Sequence, residues 1–161
     1  MITEKGLGFT TTSLIDAIHL NRIKIDEMTT ARMEIEKIVL HHAVINADEK
    51  DISKLRANIE NAKYKFKRGE RPVEENIGFH LLLAHASKNN MFLIIVEAVT
   101  SVLSHFLAKF KPTKEQSKNV INIHEAILTS IINKDTDKAL ELMSLHLKEV
   151  GAWISDNKDN S

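Results

Sequence analysis

Apolar residues recur along this chain at intervals of three and four rather than two, the period of a helix that buries one stripe. Three lines stand out: Val73, Asn76, His80, Leu83, Ser87; then Val120, His124, Ile127, Ile131; then Ala139, Met143, His146, Val150, Trp153. β-branched residues fall on such stripes and do not alternate, so the prediction is an all-α protein, an antiparallel bundle of six or seven helices. The expected helices cover about 12–22, 30–47, 49–67, 72–87, 91–110, 113–133 and 135–155.

Their ends carry specific signals. Asp48 has the form of an N-cap with Asp51 at N3, and Thr113 with Gln116 has the form of a capping box. Gly69 suits the left-handed position after the third helix, Pro72 suits the opening of the fourth, and Asp135 or Thr136 caps the last. The second helix presents Ile35, Ile38, Val39, His42 and Ile45 as its apolar face. The fifth is apolar on two faces, one through Phe92, Ile95, Val99, Val102 and Phe106, the other through Leu93, Val96, Leu103, Leu107 and Phe110. Such a helix sits centrally or packs in an interface.

Length and composition narrow the class. The chain has 161 residues, the size of one domain, and a compact fold of that length buries roughly 70% of its unfolded surface without cross-links. Lysine plus arginine and aspartate plus glutamate are 22 each, so no basic footprint for nucleic acid covers the surface. Without cysteine, a metal must bind through His, Asp, Glu or Asn. The apolar stretch 91–110 is interrupted by Glu97, Thr100, Ser101, Ser104, His105 and Lys109, which reads as too polar for a membrane span, and the first residues lack a secretory hydrophobic segment. A soluble, cytoplasmic protein with no membrane association is expected.

The candidate chemistry lies in eight histidines. His80, His124 and His146 each stand on an inward stripe. They are either three separate hydrogen-bonded core residues or three neutral imidazoles converging on one divalent cation, most suitably zinc or nickel, with Asn76 one turn before His80 as an oxygen ligand. His19, His41, His42 and His105 lie at stripe edges or back to back, and His85 is expected to pack between helices. Arg32 precedes Glu36 by one turn and either forms an i,i+4 ion pair or grips an anion bidentately. No Asp or Glu is expected on the inner stripes near the three histidines. A nucleophile elbow, a glycine-rich phosphate loop, His-Glu-x-x-His and paired Glu-x-x-His are all missing.

Several of these residues fall in an ordered pattern: Arg32-Met-Glu-Ile-Glu36, then Asn76-Ile-Gly-Phe79-His80 with Asn89 following, then His124 to Asp135, then Met143 to His146-Leu147. From about 29 to 150 the chain resembles the ligand-binding C-terminal (FCD) domain of FadR-type GntR transcription regulators. The resemblance implies a metal held by one Asp and three His with a small organic acid beside it. His80, His124 and His146 match the histidines, and Asn76 stands in place of the Asp, which removes a formal charge from the site. Arg32 and Asn89 are implied as effector contacts. Glu4 to Thr10, with Gly6-Leu7-Gly8, resembles the wing end of the winged helix-turn-helix that precedes this domain in the family. The implied organisation is then a wing remnant and linker over 1–28, the effector domain over 29–155 and a polar tail over 156–161. DNA contact would come only through a winged-helix domain absent from this chain, and the regulator would act as a homodimer, since such regulators read two-fold operators. Two other readings are a metal-dependent hydrolase or transferase on a three-His bundle and a metal-free helical interaction module.

Overall fold

The computed structural model describes residues 4–20 and 22–157, and of these the side chains from residue 12 onward. Among the described residues the chain is all helical, without strands: α1 (Glu4–His19), α2 (Ile25–Asn46), α3 (Glu49–Lys67), α4 (Val73–Ala86), α5 (Asn90–Leu107), α6 (Lys114–Ile132) and α7 (Thr136–Asp156). Helices α2, α7, α6, α3 and α4 form a closed ring, each packed on the next. Helix α5 lies against α4 and α2, and α1 lies against α5.

The expected caps are in place. Asp48 accepts from the Asp51 amide at 2.9 Å while Asp51 accepts from the Asp48 amide at 3.0 Å. Thr113 and Gln116 make the same reciprocal pair at 3.1 and 2.8 Å, and Asp135 caps α7 by accepting from the Lys138 amide at 3.1 Å. Gly69 ends α3 at φ 77°. Helices α4 and α6 end instead on lysines in the left-handed region, Lys88 at φ 59° and Lys134 at φ 56°. Both side chains are tied down: Lys88 Nζ reaches Asp51 at 2.5 Å and Asp48 at 3.0 Å, and Lys134 Nζ reaches the Val44 carbonyl at 2.7 Å. These contacts fasten the end of α4 to the cap of α3 and the end of α6 to α2.

Inside the ring, Leu40, Val44, Leu55, Phe79, Leu83, Ile127, Ile131 and Met143 form one continuous apolar core. The pair α2 and α7 comes close at Gly151, where a Cβ would stand 2.7 Å from Thr29 Cγ2, so even alanine would require the Thr29 side chain or the helix contact to shift. The buried line of α2 runs Arg32, Glu36, Val39, Leu40, Ala43 and Val44, whereas Ile38 and Ile45 are 51% and 57% exposed. The apolar face expected from Ile35, Ile38 and Ile45 is therefore rotated. The reason is that two charged residues occupy the inner face, which a hydrophobic wheel assigns to solvent.

Two further expectations are corrected. The wing turn at Gly6-Leu7-Gly8 is absent, because α1 already runs as helix from Glu4 through both glycines. The polar interruptions in α5 do not make it too short or polar for a span: over Asn90–Leu107 its mean hydropathy is 1.7, enough by length and composition to cross a bilayer. In the fold this helix lies on α4, α2 and α1, with Val96, Val102 and Leu103 buried and much of the rest half-covered. Of the tail expected over 156–161, residues 158–161 lie outside the described residues, and Asp156 still belongs to α7.

Candidate metal and effector site

Each of the three inward histidines comes from a different helix of the ring: His80 from α4, His124 from α6 and His146 from α7, exposed by only 3%, 2% and 3%. One ring nitrogen from each lies within 4.8 Å of the others. His146 Nε2 stands 3.2 Å from His80 Nε2 and 3.1 Å from His124 Nε2. Two nitrogens bonded to one cation at about 2.1 Å are separated by about 3.0 Å in octahedral and about 3.4 Å in tetrahedral geometry, so these two separations suit neighbouring ligands of one ion.

Surrounding side chains orient these rings. Phe79 stacks on His124 with centroids 4.0 Å apart and planes 11° apart, and His80 lies parallel to His146 at 5.3 Å and 11°. His80 Nδ1 contacts Glu36 Oε2 on α2. A carboxylate there only accepts, so Nδ1 carries a proton and Nε2 is the nitrogen turned toward His146. A single proton on His146 Nε2 cannot lie along both of its contacts, whereas one cation satisfies three converging lone pairs.

Electrostatics favours the ligating forms. Burial, followed by the neighbouring imidazoles and Arg32, pushes His124 and His146 well below the ordinary imidazole value of 6.5. Both rings are neutral at neutral pH, the state a metal requires. Burial would raise the carboxyl of Glu36, but Arg32 and His80 outweigh it and hold it at about 2. Arg32 Nε donates to Glu36 Oε1 at 2.5 Å, with both side chains almost wholly buried.

Beside the histidines lies a cavity of about 70 Å³, with room for several waters or a small polar ligand. Arg32, Asn76, His80, Ser117 and His146 supply its polar wall, and Leu103, Leu107, Phe110 and Trp153 much of its apolar wall. Asn76 Oδ1 is buried and has no hydrogen-bond partner among the described residues. Asn76 lines the same cavity as His80 and His146, and its orphaned carbonyl oxygen calls for a partner that the described residues do not supply.

The structure thus brings Arg32, Asn76, His80, His124 and His146 to one place. It does not bring Asn89 there. That side chain caps α5, accepting from the Met91 and Phe92 amides at 2.9 and 3.4 Å, and the residue is exposed. His85 is exposed rather than packed between helices, and His19 and His105 pair with each other at the surface. The expectation that no carboxylate approaches the three histidines is overturned by Glu36. Its signal was in the sequence, since Arg32, Glu36, Val39 and Ala43 share one helical stripe. Glu125 and Glu141 do point away, toward Lys63 and Lys138.

A ring of helices with a largely apolar cavity and a few convergent polar groups has the form of a small-molecule site. Residues 27–149 match the FCD domain model, and the chain belongs to that family. The FCD domain is the effector-binding C-terminal domain of GntR/FadR-type transcription regulators, and it is regulatory rather than enzymatic. Among solved structures, E. coli McbR/YncC superposes with a TM-score of 0.74 at 19% identity, covering 83% of this chain and 65% of that one. A Streptococcus agalactiae GntR superposes at 0.71 and 15%, covering 85% and 65%. A Listeria monocytogenes protein, Lar, described as controlling expression of the agr system, superposes at 0.69 and 17%, covering 83% and 66%. The chain therefore spans just under two thirds of the length of these structures, with which it shares the fold. No curated protein matches the chain in sequence.

Proposed function

We propose that this chain is the sensing domain of a GntR-type regulator, holding a divalent cation, zinc or nickel, through His80, His124, His146 and Asn76 and binding a small carboxylate beside it. The observation that carries the reading is the convergence of three buried imidazole nitrogens next to a cavity that Asn76, with its unpartnered amide oxygen, also lines. When bound, the cation would supply a Lewis-acidic anchor for an anion. Arg32 would help to orient that anion. It lines the cavity, and among the described residues it donates only through Nε, which leaves its other N–H groups available. Glu36 keeps His80 in the ligating tautomer.

In the same reading the domain works as a cytoplasmic homodimer and hands its ligand state to a winged-helix domain that contacts DNA. The half-exposed apolar surface of α5 supports the dimer, and light scattering at rising concentration checks it: a dimer mass is expected, and a strictly monomeric mass contradicts it. The metal assignment is tested by thermal melting. Chelator should lower the Tm and added zinc or nickel restore it, because an ion bound only by the folded chain stabilises it by mass action. An unchanged melt with chelator and with metal would leave the histidines as core residues.

A further inference from the structure

The four donors of the candidate centre are three neutral imidazoles and one amide, so together they carry no formal charge. The adjacent carboxylate, Glu36, is already matched by Arg32 at 2.5 Å. Of the other acids with buried carboxylate oxygens among the described residues, Asp51 caps α3 and pairs with Lys88, and Glu75, whose Oε2 is buried, pairs through Oε1 with Lys65 at 2.7 Å. Nothing in the protein therefore offsets a divalent ion at this site. Such an ion would bring its full double charge into a pocket walled by Leu103, Leu107, Phe110 and Trp153. An unbalanced charge in so apolar a place is strongly disfavoured.

From this charge balance we infer that cation and anion bind as an obligate pair, and that the preferred anion is a compact dianion such as a short dicarboxylate. The inference rests on the proposed metal centre and adds the thermodynamic rule by which that centre works. A monoanion cancels half of the ion's charge and a dianion all of it. Arg32 lines the same cavity, and its N–H groups not engaged by Glu36 would give the anion a second anchor. Cation and anion then raise each other's affinity by the same factor, as linkage requires. The domain would respond to the anion only where the metal is available, and hold the metal firmly only in the presence of the anion.

The test is a calorimetric titration of zinc nitrate into the metal-free chain, in a non-coordinating buffer, alone and with succinate or propionate, corrected for zinc bound by the free acids. Succinate should tighten zinc binding by ten-fold or more, equivalent to about 1.4 kcal/mol, and propionate by clearly less. The reverse titration of succinate should show the same factor on adding zinc. Asn76→Asp puts a carboxylate into the donor set, so zinc alone should bind it more tightly and the succinate enhancement should shrink. Tight zinc binding that neither acid alters, with hydroxide from a bound water balancing the charge, would overturn the coupling and leave the metal centre standing. An equal enhancement by propionate and succinate, or an undiminished one in Asn76→Asp, would also overturn it. Absence of zinc binding under every condition would overturn the metal centre and the coupling together.

Discussion

Glu36 on α2 receives the Nδ1 proton of His80 on α4 while its other oxygen is held by Arg32 at 2.5 Å. This buried chain of three side chains ties α2 to α4 and turns Nε2 of His80 toward His146. Replacing Glu36 by Gln removes the charge and allows the wrong tautomer. Zinc affinity should fall about 10- to 100-fold, the usual effect of losing such an outer partner. The metal-free fold should also weaken, because Arg32 is left buried without a counter-charge, and breaking a buried pair is worth about 3–5 kcal/mol. Zinc titration and urea unfolding measure the two effects. Unchanged zinc affinity would show that Glu36 does not orient a ligand.

The metal-free chain should lose stability as pH drops below neutrality. His124 and His146 lie well below 6.5 when folded. The unfolded chain therefore binds protons from pH 6.5 downward that the folded chain refuses. Their contribution is complete above that pH and falls as pH decreases, by up to about 1.4 kcal/mol per pH unit for each histidine. Glu36, lowered from 4.5 to about 2, contributes above pH 4.5 and loses its share only between 4.5 and about 2. A loss between pH 6.5 and 4.5 thus belongs to the histidines. Urea midpoints of the chelated protein across this range should decline, and His124→Gln should flatten the decline. A flat profile in the unsubstituted chain would contradict the buried neutral state.

Asn76→Asp should act with opposite signs in the two states. With zinc, an added carboxylate one turn from His80 should raise metal affinity by about ten-fold or more, roughly 1.4 kcal/mol. Without metal, the same group is buried without a partner and should lower the melting temperature. Equal shifts with and without zinc would mean that Asn76 is not a ligand.

Phe79 is fully buried and covers one face of His124. Phe79→Ala should cost about 3–5 kcal/mol through cavity formation. Phe79→Leu keeps most of the volume and should cost below about 1.5 kcal/mol, yet it removes the flat wall that sets the ring and should weaken zinc binding by up to roughly ten-fold. A Leu variant that binds zinc like the unsubstituted chain would assign Phe79 to packing alone.

Much of this architecture is legible because its signals are local. The Asp48–Asp51 and Thr113–Gln116 caps and the positive φ at Gly69 depend on a few adjacent residues. His80, His124 and His146 are legible because each stands on an otherwise apolar stripe. The inner face of α2 is not. Arg32 and Glu36 are charged, and only their mutual pairing, with the contact to His80 from a helix 44 residues away in sequence, makes their burial tolerable. The same long-range partnership hides Glu36 as a neighbour of the histidines. Asn89 shows the reverse: a residue implied by resemblance as an effector contact spends its side chain on a local cap.

The metal centre is tested most directly by crystals of tag-free protein soaked in zinc and measured with X-rays tuned to the zinc absorption edge. One anomalous peak enclosed by the Nε2 atoms of His80, His124 and His146, with Asn76 Oδ1 turned toward it, is the expected result. A map with no peak there, or with zinc held only at surface histidines such as His41 or His85, would contradict the metal centre.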